Sequence, residues 1–67
     1  MSQIKINGEA REIEGVEFLS ELLAKLKLNA AYLAVAVNDR VVPRSMHHTT
    51  KINDGDRLEI IHAVGGG

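Results

Sequence analysis

The chain has 67 residues, no cysteine, a formal net charge of −1, and a single Phe and Tyr. A chain this short forms one domain that buries only about 60% of the surface its unfolded form exposes, so a large catalytic cleft is not expected. Without cysteine there are no disulfides, thiol nucleophiles or cysteine-ligated zinc; near-neutral charge and few aromatics argue against a nucleic-acid partner.

The opening segment MSQIKINGEA is polar and alternating, with no apolar signal-like region, and no stretch reaches the roughly 18 apolar residues of a membrane span. A soluble, cytoplasmic protein with no membrane partner is expected. Ile4 and Ile6 alternate with Gln3 and Lys5, as in a half-buried strand. Asn7-Gly8 follows, and both residues tolerate positive φ, so a hairpin should return over residues 9–13. Two registers compete. A two-residue turn puts Glu9 and Arg11 on the face of Ile4 and Ile6, whereas a three-residue loop through Glu9 puts Ala10 there; the second is preferred.

After Gly15 the period changes. Phe18, Leu19, Leu22, Leu23 and Leu26 form one helical stripe, with Glu17, Ser20, Glu21, Lys25 and Lys27 on the other side. Glu21 and Lys25 have the spacing and order of a favourable i,i+4 ion pair, and acids lead while bases trail, which complements the helix dipole. No Ser, Thr, Asp or Asn cap stands directly before Phe18, and Asn29 is the expected stop. YLAVAVNDRVVP then reads as two strands, about residues 32–37 and 40–42, joined at Asn38-Asp39. Pro43 has no N–H to donate, which ends the second strand or places it at an edge. RSMHHTTKI has no period and reads as loop with room for one helical turn. Asp54-Gly55 is a turn, and residues 57–64 are the last strand.

This order, β-β-α-β-β-β, has only one helix to cover one face of one mixed sheet. It fits an α+β fold of the β-grasp, ubiquitin-like type, with first and last strands adjacent at the centre and the helix packed across them. Residues 1–64 are read as the domain and residues 65–67 as a flexible, extended glycine tail.

Few side chains form a chemical constellation. His47 and His48 are adjacent and point apart in irregular chain, with no Asp, Glu or Cys at ligand spacing, so no metal site is assigned. His62 shares parity with Leu58 and Ile60 and reads as a strand-end residue at the core margin. Asp54, Asp56 and Glu59 resemble an acid/base set only superficially, because DGD is turn chemistry and Glu59 alternates outward. VGGG is no dinucleotide fingerprint, since no helix follows it. No catalytic residue is assigned. What stands out is position: the last strand runs directly into Gly65, Gly66 and Gly67. A tail without Cβ atoms can thread a narrow channel and present a carboxylate to another enzyme, provided that partner offsets about 1–2 kcal/mol of ordering entropy per residue.

VAVNDRVVPRS followed by DGDRLEIIHAVGGG resembles the ThiS family, the ubiquitin-like sulfur carriers of thiamine biosynthesis. The similarity also takes in the N-terminal hairpin and the ELLAKL helix. It implies that a ubiquitin-activating-like adenylyltransferase uses ATP to convert the Gly67 carboxylate into an acyl-adenylate. Sulfur from a persulfide donor of the cysteine desulfurase or rhodanese type then replaces AMP, leaving a thiocarboxylate that serves thiazole synthase. The resemblance thus implies a carrier and not an enzyme, with no intrinsic cofactor, monomeric when free, and with Gly65 and Gly66 in the partner's channel. Lacking cysteine, the chain cannot itself supply the persulfide. If the helix covers the face of Leu58 and Ile60, then Ile61 and Ala63 are apolar on the open face beside the tail and become candidate docking residues. The competing readings are a related carrier for molybdopterin, cysteine or tRNA thiolation, and a β-grasp binding module whose tail has no chemistry.

Overall fold

The computed structural model describes residues 2–62. Strands β1 (Ser2–Ile6) and β2 (Glu9–Ile13) are followed by helix α1 (Leu19–Lys25), then β3 (Leu33–Val37), β4 (Arg40–Val42) and β5 (Arg57–His62). Two single 3₁₀ turns, Ala30–Tyr32 and Arg44–Met46, fill the connections, the second within the segment expected as loop. The five strands form one sheet in the order β2-β1-β5-β3-β4. β5 is central, parallel to β1 and antiparallel to β3. This is the expected β-grasp arrangement, and β4 is an edge strand that stops just before Pro43.

One sheet face is covered by the helix. Leu19, Leu22 and Leu23 of α1 pack with Ile4, Ile13, Val35, Leu58 and Ile60 of the sheet and with Ile52 of the last loop, all buried. Each such aliphatic side chain contributes roughly 1.5–3 kcal/mol by leaving water. The buried positions on β5 alternate, as a strand covered on one face requires.

The first hairpin differs from the preferred register. Ile6 pairs with Glu9 and Ile4 with Arg11, so the turn is the two-residue Asn7-Gly8 with φ of 52° and 85°. Ile13 decides the register, because it shares a face with Arg11 and Glu9 and is buried in the core. A one-residue slip would expose it. Glu9 and Arg11 remain in water on the edge strand despite pointing to the core side.

The helix ends also depart from expectation. Asn29 does not stop α1; the chain has already left it at Lys27, at φ 59°, with Leu28 N–H donating to Leu23 O at 2.9 Å. Asn29 instead begins the next 3₁₀ turn, its Oδ1 accepting from Ala31 N at 2.9 Å. At the front, Leu19 N–H donates to Thr50 O (2.8 Å) and Ser20 N–H to His47 O (3.0 Å), so carbonyls of the connection over residues 43–56 satisfy helix donors that no Ser or Asp cap serves. The Glu21–Lys25 ion pair does not form. Glu21 turns to backbone N–H groups at the helix start and Lys25 Nζ donates to Glu14 O, both stronger uses of a charge than an exposed pair worth a few tenths of a kcal/mol.

Candidate functional site

The last strand dictates where any chemistry beyond it begins. Leu58 and Ile60 point into the core while Arg57, Glu59 and Ile61 point outward, as their alternation requires. Both neighbours hold this strand: β1 through Lys5↔Arg57 and Ile6↔Leu58, and β3 through five paired positions from Val37↔Leu58 to Leu33↔His62. Burial ends at Ile60, and both Ile61 and His62 are exposed. The positions singled out beyond them, Ala63, Gly65, Gly66 and Gly67, lie outside the described residues.

Ile61 is 61% exposed on the uncovered sheet face, directly opposite Ala34. Ala36 shares that face and pairs with Val41 on the edge strand, which is 77% exposed. A strip of Ile61, Ala34, Ala36 and Val41 therefore crosses three strands, and it begins at the end of β5 from which the sequence continues into AVGGG. The other half of the same face is charged, with Lys5 beside Arg57 and Glu59 opposite Ala36.

The remaining candidates are structural. His47 is buried, its ring Nε2 3.1 Å from Val42 O; since a carbonyl only accepts, that nitrogen carries the proton. His48, next to it, is exposed. No group of three or more His, Cys, Asp or Glu able to hold a metal occurs among the described residues. Asp54 Oδ1 accepts from Gln3 N at 2.7 Å, and buried Asp56 accepts from Asn38 Nδ2 (3.0 Å) and Asn53 N (2.7 Å). With Glu59 outward, the three carboxylates share no site. A depression of about 290 Å³ between Lys5, Ala10, Asp54 and Arg57 lies at the opposite end of β5 from His62. Among the described residues, no helix is long and apolar enough to cross a membrane.

Asn7 and Asn38 are more than turn residues. Each occupies the first position of a hairpin turn at positive φ, and each folds its amide onto β5: Asn38 Oδ1 accepts from Arg57 N (3.0 Å), and Asn7 Oδ1 accepts from Ile60 N (2.9 Å). The only sequence signal was that Asn, rather than Gly or Asp, opens both turns.

The ThiS family model matches residues 4–67. The sulfur carrier protein ThiS of Escherichia coli is 31% identical over 65 residues, covering 97% of this chain and 98% of that protein. A thiazole synthase of Paramagnetospirillum magneticum is 37% identical over 65 residues, which cover 97% of this chain but only 20% of the synthase. The crystal structure of the thiamine biosynthesis protein ThiS from Geobacter metallireducens superposes with a TM-score of 0.83 at 34% identity, covering 97% of this chain and 99% of that one.

Proposed function

The chain belongs to the ThiS family, and on that premise we propose the chemistry by which it works as a sulfur carrier. It is a carrier for thiamine biosynthesis and not itself an enzyme. The Gly67 carboxylate is the group acted upon. A carboxylate is a poor electrophile, so a partner adenylyltransferase first joins it to AMP from ATP, releasing pyrophosphate. The terminal sulfur of a persulfide then attacks the acyl carbon and AMP leaves. A thiol cleaves the resulting S–S bond, and Gly67 keeps the sulfur as a thiocarboxylate. Gly65 and Gly66 pass through the partner's channel, and ATP belongs to the partner's site. The adenylyltransferase, the sulfur donor and the cytoplasm as the place of action are part of the proposal.

The observation that carries this reading is that the family match runs through the glycines to residue 67. The charged carrier docks on thiazole synthase and gives up its sulfur to the forming thiazole ring. A region of that enzyme in P. magneticum is itself similar to this chain over nearly its full length. Ile61 and Ala63 are the proposed docking residues, and the strip of exposed Ile61, Ala34 and Val41 with half-buried Ala36 supports that assignment.

Intact-mass spectrometry after incubation with ATP, the adenylyltransferase and a persulfide donor tests the reading. One sulfur-for-oxygen exchange at Gly67 is expected. Adding one residue after Gly67 should abolish it while leaving the fold intact, because the carboxylate is then displaced in the partner's site. An extended chain that still charges would overturn the tail assignment.

A further inference from the structure

The pairing of β1 with β5 ends at Ile6↔Leu58, because the chain turns away at Asn7 and Gly8. On that side the next backbone groups of β5 to be satisfied are the N–H and C=O of Ile60, and the departing hairpin has no peptide to offer them. Asn7 supplies a substitute. Its backbone N–H donates to Leu58 O (2.9 Å), its Nδ2 donates to Ile60 O (3.1 Å), and its Oδ1 accepts from Ile60 N (2.9 Å). A primary amide presents one donor and one acceptor side by side, as a peptide does, and so completes the missing rung.

The same carboxamide has a nucleophile next to it in the chain. In an Asn-Gly sequence the glycine nitrogen attacks the asparagine Cγ readily, because glycine carries no Cβ to hinder ring closure. Gly8 N gives up its proton, the N–Cγ bond forms, and the Cγ–Nδ2 bond breaks as Nδ2 leaves with that proton as ammonia. Water then opens the succinimide at either carbonyl, giving aspartate or, with the main chain rerouted through Cγ, isoaspartate. Asn29, Asn38 and Asn53 precede Ala30, Asp39 and Asp54, whose Cβ atoms crowd the same closure.

Asn7 is exposed to the water this reaction needs, yet both ends of its amide are held by Ile60. Cyclisation swings Cγ away from β5 and onto Gly8 N, so both bonds must break first. Neither product remakes the rung. Aspartate lacks the donor and sets an anionic oxygen against Ile60 O. Isoaspartate adds a carbon to the backbone of the turn whose closing pair, Ile6↔Glu9, sets the register that buries Ile13.

We infer that Asn7-Gly8 is a succinimide-forming modification site that the Ile60 clamp holds closed, so that deamidation there follows the opening of the β1–β5 junction and makes it permanent. This chemistry is separate from the carrier reaction and does not depend on it.

The test incubates the unaltered protein at mildly alkaline pH in a series of urea concentrations. Peptide mass spectrometry gives the deamidation rate at each asparagine, and amide hydrogen exchange under the same conditions gives the opening of Ile60. In the unfolded chain Asn7 should react fastest of the asparagines. In native buffer its rate should fall by roughly tenfold to a hundredfold, the factor set by two hydrogen bonds, and it should rise with urea in step with Ile60 exchange. The variant Asn7→Asp, standing for one product, should speed Ile60 exchange by roughly two- to tenfold and lower the urea midpoint. Native deamidation as fast as in the unfolded chain while the Ile60 amide stays protected, or a rate that stays flat while Ile60 opens, would overturn the clamp. An unfolded chain in which Asn7 reacts no faster than Asn29, Asn38 or Asn53 would overturn the site. Unchanged Ile60 exchange and midpoint in Asn7→Asp would overturn the permanence of the opening.

Discussion

Glu21 Oε1 accepts from the backbone N–H of Phe18 at 2.8 Å and from that of Glu17 at 3.0 Å. Phe18 holds the N-cap position with extended backbone and has no side-chain acceptor, so the carboxylate one turn in takes the Glu17 and Phe18 amides while the Thr50 and His47 carbonyls take those of Leu19 and Ser20. Glu21→Ala should lower stability by about 1 kcal/mol, and Glu21→Gln, which keeps a neutral acceptor, should recover part of it. Urea midpoints at constant slope measure both. An unshifted midpoint for Glu21→Ala would mean that the Thr50 and His47 carbonyls alone secure the helix start.

The adjacent histidines should behave oppositely. His47 is buried, donates from Nε2 to Val42 O, and its backbone carbonyl accepts from Ser20 N; His48 is exposed. His47→Ala leaves the Val42 carbonyl without its donor and opens a void, for an expected loss of about 2–3 kcal/mol, against under about 0.5 kcal/mol for His48→Ala. Equal losses in denaturant titrations would contradict the placement of the ring.

Much of this molecule was legible because period reports burial. The β5 alternation separates Leu58 and Ile60 from Glu59 and Ile61, and the leucines of α1 mark the covering face. The hairpin register was misread because Ala10 is a local cue, whereas Ile13, at the far end of the strand, carries the burial energy. Asn29 misled because asparagine serves helix starts and stops alike, and the αL residue that ends α1 is Lys27, a type with no preference for that conformation. His47 lies in a loop without periodicity, so nothing in the sequence separates it from His48. The second duty of Asn7 was hidden for a related reason: its turn role is a sufficient explanation until β5 is seen to outrun β1.

Charge and burial can be separated within one turn of β5. Asp56 is buried and holds Asn38 Nδ2 and Asn53 N, whereas the Arg57–Asp39 pair, at 3.3 Å, has side chains 65% and 73% exposed. Asp56→Ala should cost about 2–3 kcal/mol by leaving two donors unmet. Asp39→Asn, which retains a residue suited to φ 68°, should change stability by under about 0.5 kcal/mol. A large, salt-sensitive loss at Asp39 would show that the surface pair matters more than its exposure indicates.

Ile61 and Leu58 are three residues apart on opposite faces of one strand. Ile61→Asp should fold normally and lose charging, because it places a carboxylate in the exposed apolar strip. Leu58→Ala, at a side chain 2% exposed, should cost about 2–5 kcal/mol. Circular dichroism and mass spectrometry, read separately, check the pair. Loss of fold and of charging together in Ile61→Asp would sink the docking assignment.

The strand that leads to Gly67 is the middle one of five. On the proposed carrier chemistry, any load placed on that end falls first on this strand. An edge strand would peel off rung by rung, each step opposed by one ladder. β5 is held on both sides, by β1 at Arg57 and Leu58 and by β3 from Leu58 to His62, and such central elements open at free energies close to that of global unfolding. The topology thus roots the strand from which the sequence continues toward Gly67 in the most protected part of the sheet.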